Sequence, residues 1–142
     1  MPALQHRLLN SALIAGFEEN LYKVQIPEES DVAMSGSEFV FVYSTFPDVG
    51  AAERVARALV SARLAACVNI YPPMTSVYEW QGKLETGPEV AVFIKTRRAL
   101  VDETIAAARP LHPYTVPCFL VLPIEGGNSD YIAWARGQTK GR

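Results

Sequence analysis

The sequence predicts an α+β fold of the ferredoxin-like, split βαβ type: a βαββαβ order plus a C-terminal helix, with a long bent β-hairpin at its centre. Three observations carry that expectation. Apolar runs of strand length and amphipathic stripes of helical spacing follow one another as strand, helix, strand, strand, helix, strand, helix. The stretch 64–96 reads as two strands folded back through Trp80-Gln81-Gly82-Lys83, where Gly82 can supply the positive φ of a tight turn. Pro72-Pro73 cannot donate ladder hydrogen bonds, so the first arm of that hairpin is predicted to bend there.

Residues 1–37 differ from the rest and read as an N-terminal extension or linker, leaving a domain over 38–142. Leu4, Leu8, Leu9, Ala12 and Leu13 recur at helical spacing, and the stretch 18–31 is polar and acidic, with no core of its own. Asn10 and Ser11 interrupt the short apolar run, which argues against a secretory leader. The run 39–45 fits a central strand, and Pro47-Asp48 breaks it and offers an N-cap carboxylate. Over 51–64, Ala52, Val55, Ala56, Leu59, Val60 and Ala62 form one stripe, with Glu53 four residues before Arg57 on the wet side.

In the hairpin, the first arm (65–71 and 75–80) is dense in β-branched and aromatic residues, which suit a half-buried pleated surface. The second arm, 90–95, is nearly all apolar, as in a strand covered on both faces. A helix over about 98–109 buries Val101, Ile105 and Ala108 and stops at Pro110. The fourth strand is expected over 116–123, and the last helix, over 129–136, carries Tyr131 and Trp134 at i and i+3.

The chain has 142 residues, enough to bury a core without disulfides. Its 13 basic and 15 acidic residues give a net charge of −2, which argues against a nucleic-acid footprint. No apolar run approaches the roughly 18 residues that a membrane span needs. Cys67 and Cys118 both sit in apolar runs, so reduced thiols and a cytoplasmic setting are expected. Val, Ile and Phe occupy both faces of several strands, yet the helices cover only one face of such a sheet. Self-association through the bare face is therefore expected, with the hairpin's outer end, 75–88, pairing with another chain.

His112 follows a Pro-terminated helix and neighbours Tyr114, which suits either a cleft or a structural hydrogen bond to backbone. Lys95 closes an apolar strand, where an ammonium needs a partner such as Glu89 or a bound anion, or else snorkels to water. Tyr78, Trp80 and Trp134 read as packing anchors at a subunit interface. Cys67, among Ala66, Val68 and Ile70, reads as core. There is no nucleophile, base and orienter at recognisable spacing, no paired carboxylates, no HExxH and no phosphate-cradling Gly loop, so no enzyme is expected.

Ala65-Ala66-Cys67-Val68-Asn69-Ile70, Ser76-Val77-Tyr78-Glu79-Trp80-Gln81-Gly82-Lys83, Glu89, Lys95-Thr96, His112-Pro113-Tyr114 and Tyr131-Ile132-Ala133-Trp134 together resemble, in order and spacing, the CutA family of divalent-cation tolerance proteins. The resemblance covers about residues 38–137. It implies a homotrimer whose hairpins pair with neighbouring subunits, binding of copper or another divalent metal ion, and no enzymatic reaction. No cofactor is expected to be needed for folding. Family members commonly read His-Pro-Tyr-Glu-x-Pro-Glu; this chain carries Thr115 and Cys118 in place of the two carboxylates, and Ser44 where some members have a Cys. The metal ligands implied are His112 and Cys118, the thiol favouring Cu(I) or Zn. An alternative follows from the likeness of the fold to PII signalling proteins: a small anionic ligand or partner protein bound in intersubunit clefts lined by Lys95, Tyr114, Glu89 and Trp80.

Overall fold

A computed structural model describes residues 32–33 and 38–141, all within the unit Val32–Arg142. The helix expected at Leu4 to Leu13 and the acidic linker expected over 18–31 lie outside the described residues. A two-residue strand, β1 (Val32–Ala33), pairs antiparallel with β7 (Gly127–Asn128). The main sheet holds β2 (Phe39–Phe46), β3 (Cys67–Ile70), β5 (Lys83–Arg97) and β6 (Leu120–Pro123) in the order β3-β5-β2-β6, and every pairing is antiparallel. With β4 (Met74–Trp80) extending the hairpin, and with helices α1 (Val49–Ser61), α2 (Val101–Ala108) and α3 (Ser129–Gln138), this is the ferredoxin-like α+β arrangement.

The period of two along β2 divides the protein into its two faces. Val40, Val42 and Phe46 point into a core with Ala52, Val55 and Leu59 of α1, Val90, Val92 and Ile94 of β5, and Ala108 of α2. Full burial of each larger aliphatic or aromatic side chain contributes about 1.5–3 kcal/mol. Asp48 caps α1, its Oδ1 accepting from the Ala51 amide at 2.8 Å. Ser44 lies on this same core face, wholly buried, and its hydroxyl has no hydrogen-bond partner. Ser44→Ala is therefore expected to leave stability unchanged or raise it by up to about 2 kcal/mol, read as the urea midpoint; a loss of similar size would mean that the hydroxyl is satisfied in solution.

The opposite face of β2 carries Phe41, Tyr43 and Thr45. Helix α3 covers one end of it, packing Ile132 and Ala135 on Phe39 and Ala66. Beyond α3 the face is aromatic and half open: the Phe93 ring meets Phe41, Tyr43 and Tyr71 edge-on, with centroids 5.8, 5.3 and 5.5 Å away. The edge strand β6 continues it with Leu120 and Leu122, 59% and 42% exposed. Tyr131 and Trp134 meet on α3 at 5.4 Å, both exposed.

The hairpin is longer than its apolar signal. Its second arm runs over Lys83–Arg97, not 90–95 alone, because residues 83–89 hold their place by pairing with β4 rather than by burial. Trp80 pairs with Lys83, so Gln81 and Gly82 form a two-residue loop; both take positive φ, 50° and 79°, the type I′ geometry that matches strand twist. The expected bend is present, since β3 stops at Ile70 and β4 starts at Met74, bracketing Pro72-Pro73. The last strand is shorter than 116–123 and begins at Leu120, after Pro117 has denied the ladder a donor. The helix expected over 98–109 is α-helical only over Val101–Ala108, with 3₁₀ turns at Arg98–Leu100 and Arg109–Leu111.

Candidate functional site

A cleft of about 450 Å³ opens on the aromatic side of the sheet. Thr45 from the end of β2, Tyr78 and Trp80 from β4, Glu89 from β5, and Tyr114, Thr115 and Cys118 from the loop before β6 line it. The register brings the hairpin residues together: Glu89 pairs with Met74, and the pleat puts Tyr78 and Trp80 on the Met74 side of β4.

His112 builds the cleft without lining it. Its ring is 7% exposed, stacked on Phe46 at 4.2 Å and met edge-on by Phe119 at 5.7 Å. Nδ1 accepts the Tyr114 amide at 3.1 Å, which leaves the proton on Nε2 to donate to the Thr45 carbonyl at 2.9 Å. Both ring nitrogens are occupied, and the imidazole rivets the end of β2 to the loop that forms the opposite wall. Burial holds its pKa below the usual histidine value, against the pull of the Thr45 carbonyl and the Glu89 charge.

Within the cleft, Tyr114 donates its phenol hydrogen to Glu89 Oε2 at 2.9 Å. Burial and then the Glu89 carboxylate, by hydrogen bond and by charge, push that phenol well above its ordinary range, with further contributions from Tyr78 and Asp48. Burial and the same carboxylate raise the Cys118 thiol, and burial, Cys118 and Glu89 raise the Tyr43 phenol. Glu89 takes part in none of the ion pairs among the described residues, which are Glu53–Arg57, Glu38–Arg136 and Glu103–Lys140. Among the described residues no Lys or Arg lines the cleft, and Glu89 is its one lining carboxylate.

Of the residues singled out from sequence, Glu89, Tyr114, Trp80, Tyr78 and Cys118 come together here. Lys95 does not. It lies six residues beyond Glu89, about 20 Å along the strand, where its ammonium donates to the Tyr131 hydroxyl at 3.3 Å and faces the Phe41 and Tyr131 rings. The partner expected in Glu89 is thus replaced by a phenol and two π-faces. Cys67 is half-buried and pairs with Lys95 across β3 and β5; both thiols are free. Trp134 sits on α3, outside the cleft lining. Thr45 was not foreseen in the cleft, its only sequence signal being a hydroxyl closing an apolar run, whereas Thr115 lines it at the position where family members carry a carboxylate.

One copy of the chain does not by itself fit a divalent ion. His112 has no free nitrogen, Cys118 and Glu89 supply two donors where a structural zinc site uses four, and among the described residues no three His, Cys, Asp or Glu side chains gather.

The family model of the CutA1 divalent ion tolerance protein matches residues 40–138. Human Protein CutA is 42% identical over 118 residues, covering 80% of this chain and 66% of its own length. The rice Protein CutA 1, chloroplastic, is 43% identical over 101 residues, covering 71% of this chain and 57% of its own length. This chain therefore spans somewhat less than two thirds of those two relatives. The Thermus thermophilus divalent-cation tolerance protein CutA is 43% identical over 98 residues and is covered over 95% of its length. Among solved structures, the Archaeoglobus fulgidus protein described as periplasmic divalent cation tolerance protein CutA superposes with a TM-score of 0.70 at 37% identity, covering 72% of this chain and 99% of that one.

Proposed function

The chain belongs to the CutA1 divalent ion tolerance family, and from that premise we propose that it is a non-catalytic, self-associating cation-binding protein that acts in tolerance of metal ions. The observation that carries this reading is the Glu89 carboxylate beside the Cys118 thiol in a cleft that no basic side chain lines among the described residues. In this reading the ion, copper-like and soft enough to take a thiolate, is cargo held by Cys118 and Glu89, with its remaining donors supplied by an adjoining copy. His112 shapes the site rather than ligating.

Self-association into a homotrimer is supported by the aromatic face around Phe93, the exposed Leu120 and Leu122, and the exposed Val77, Tyr78, Trp80 and Leu84 of the hairpin, an apolar surface of the kind that water-exposed proteins rarely leave bare. A cytoplasmic, reducing setting is supported by two unpaired thiols; among the described residues no helix is long and apolar enough to cross a membrane. The PII-like alternative, an anionic ligand in this cleft, finds its would-be cation Lys95 at the other end of the face and a carboxylate where an anion would sit.

Sedimentation of the metal-free protein is expected to show a trimer, and Phe93→Glu is expected to give monomers, because a charge buried in an apolar seam costs several kcal/mol. Titration with Cu(I) or Zn is then expected to load roughly one ion per chain on the trimer, with thiolate charge-transfer absorption lost in Cys118→Ser. A monomeric wild type, or uptake unchanged in Cys118→Ser, would overturn this assignment.

A further inference from the structure

Glu89 is the carboxylate of the cleft, and its two oxygens are not equivalent. Oε2 accepts the Tyr114 hydroxyl at 2.9 Å, while no hydrogen bond among the described residues reaches Oε1. Tyr114 is fixed from behind: its amide donates to His112 Nδ1 at 3.1 Å, its ring centroid lies 5.1 Å from the imidazole, and His112 Nε2 donates to the Thr45 carbonyl at 2.9 Å. The end of β2 therefore reaches one carboxylate oxygen through hydrogen bonds in series. His112 is buried and Thr45, Tyr114 and Glu89 are half-buried within one copy, so the series does not depend on how the seam closes over the outer hairpin.

A carboxylate held by one oxygen offers an ion the other alone. That distinction sorts ions by what they ask of a carboxylate. A hard cation gathers oxygens, about six to eight for Ca(II), and readily takes a carboxylate by both of its own. A four-coordinate ion that accepts a thiolate takes one aimed oxygen, at about 2.0–2.2 Å for Zn(II). We propose that Tyr114 is the positioning residue that sets the ion preference of this cleft: it keeps Glu89 Oε2 engaged and presents Oε1 singly, beside the Cys118 thiol, to a tetrahedral, thiolate-binding ion. The inference rests on the reading above, in which the ion is cargo held by Cys118 and Glu89 with further donors from an adjoining copy. It adds why such an ion is taken over a hard one, which a thiol and a carboxylate do not by themselves decide.

The test uses the full chain and its Tyr114→Phe variant, which loses one hydroxyl and keeps the ring. Zn(II) affinity is read by competition with a chromophoric chelator, Mn(II) affinity by loss of the free-ion electron paramagnetic resonance signal, and coordination by the visible spectrum of the Co(II) form. Tyr114→Phe is expected to weaken Zn(II) by about 10- to 100-fold, to change Mn(II) by less than about threefold, and to shrink the intense tetrahedral Co(II) bands as Oε2 joins Oε1 at the ion. A Zn(II) affinity within about threefold of the wild type, equal losses for both ions, or an unchanged Co(II) spectrum would each overturn the proposal. Zn(II) uptake that survives Cys118→Ser would overturn the metal reading and this proposal together. Uptake that needs Cys118 and ignores Tyr114→Phe would overturn this proposal alone.

Discussion

Arg97→Ala is expected to destabilise the fold by about 3–5 kcal/mol, more than any single aliphatic truncation on the sheet's open face. Arg97 is 4% exposed, and after the Arg136 hydrogen bond its charge helps to hold the Glu38 carboxyl below its usual value. Its Nε donates to Thr139 Oγ1 at 2.9 Å, and its Nη2 faces the carbonyls of Thr139, Lys140 and Gly141 at 3.2, 2.6 and 2.5 Å. These oxygens lie just past the C-terminus of α3, where aligned peptide dipoles leave negative partial charge and a cation is stabilised. Alanine would strand that nest of carbonyls and open a void beside Thr139. Arg97→Lys is expected to recover less than half of the loss, since a compact ammonium cannot span a hydroxyl and three carbonyls at once. Urea unfolding followed by far-UV circular dichroism reads both. A loss below about 1 kcal/mol for Arg97→Ala would show that water replaces the guanidinium and that the end of the chain is not clamped.

Arg97 also marks the limit of what the sequence could tell. The apolar runs at Phe39–Phe46 and around Val90–Ile94, the stripe of Ala52, Val55 and Leu59, and the Gln81-Gly82 turn each carry their signal locally, through a period or a required φ, and so the fold was legible. Arg97 reads as one more polar residue after a strand, because its partners lie more than forty positions away. The outer half of β5 was legible only as part of the hairpin's outer end and not as strand bounds, because its residues are held by pairing and not by burial, so no alternation marks them. At the cleft, residue types were legible and distances were not. Lys95 and Glu89 looked like partners because both were unpaired charges on one strand, but only coordinates measure the 20 Å or so between them. The sequence leaves His112 between a cleft and a backbone hydrogen bond, and only coordinates show Thr45 and Tyr114 around its two nitrogens.

His112→Ala is accordingly expected to cost about 3–4 kcal/mol and to slacken the cleft wall. The ring stacked on Phe46 is lost, the Thr45 carbonyl loses its donor and the Tyr114 amide its acceptor. The imidazole also ties stability to pH in a direction fixed by its depressed pKa. Near pH 6.5, the ordinary value, the unfolded chain takes up a proton that the folded chain refuses, so the unfolded state binds more protons as the pH falls. This contribution is fully present above about pH 6.5 and declines as the pH falls towards the folded pKa, at no more than about 1.4 kcal/mol per unit. Acid protonates Nδ1, turning it into a donor that faces the donor of the Tyr114 amide. Urea midpoints between pH 7.5 and 5.5 should therefore fall more steeply for the wild type than for His112→Ala, where that titration is gone. Parallel slopes would remove the rivet from the account. A variant that keeps its stability and loses only metal uptake would make His112 a ligand after all, with Nε2 turned away from Thr45 to reach the ion.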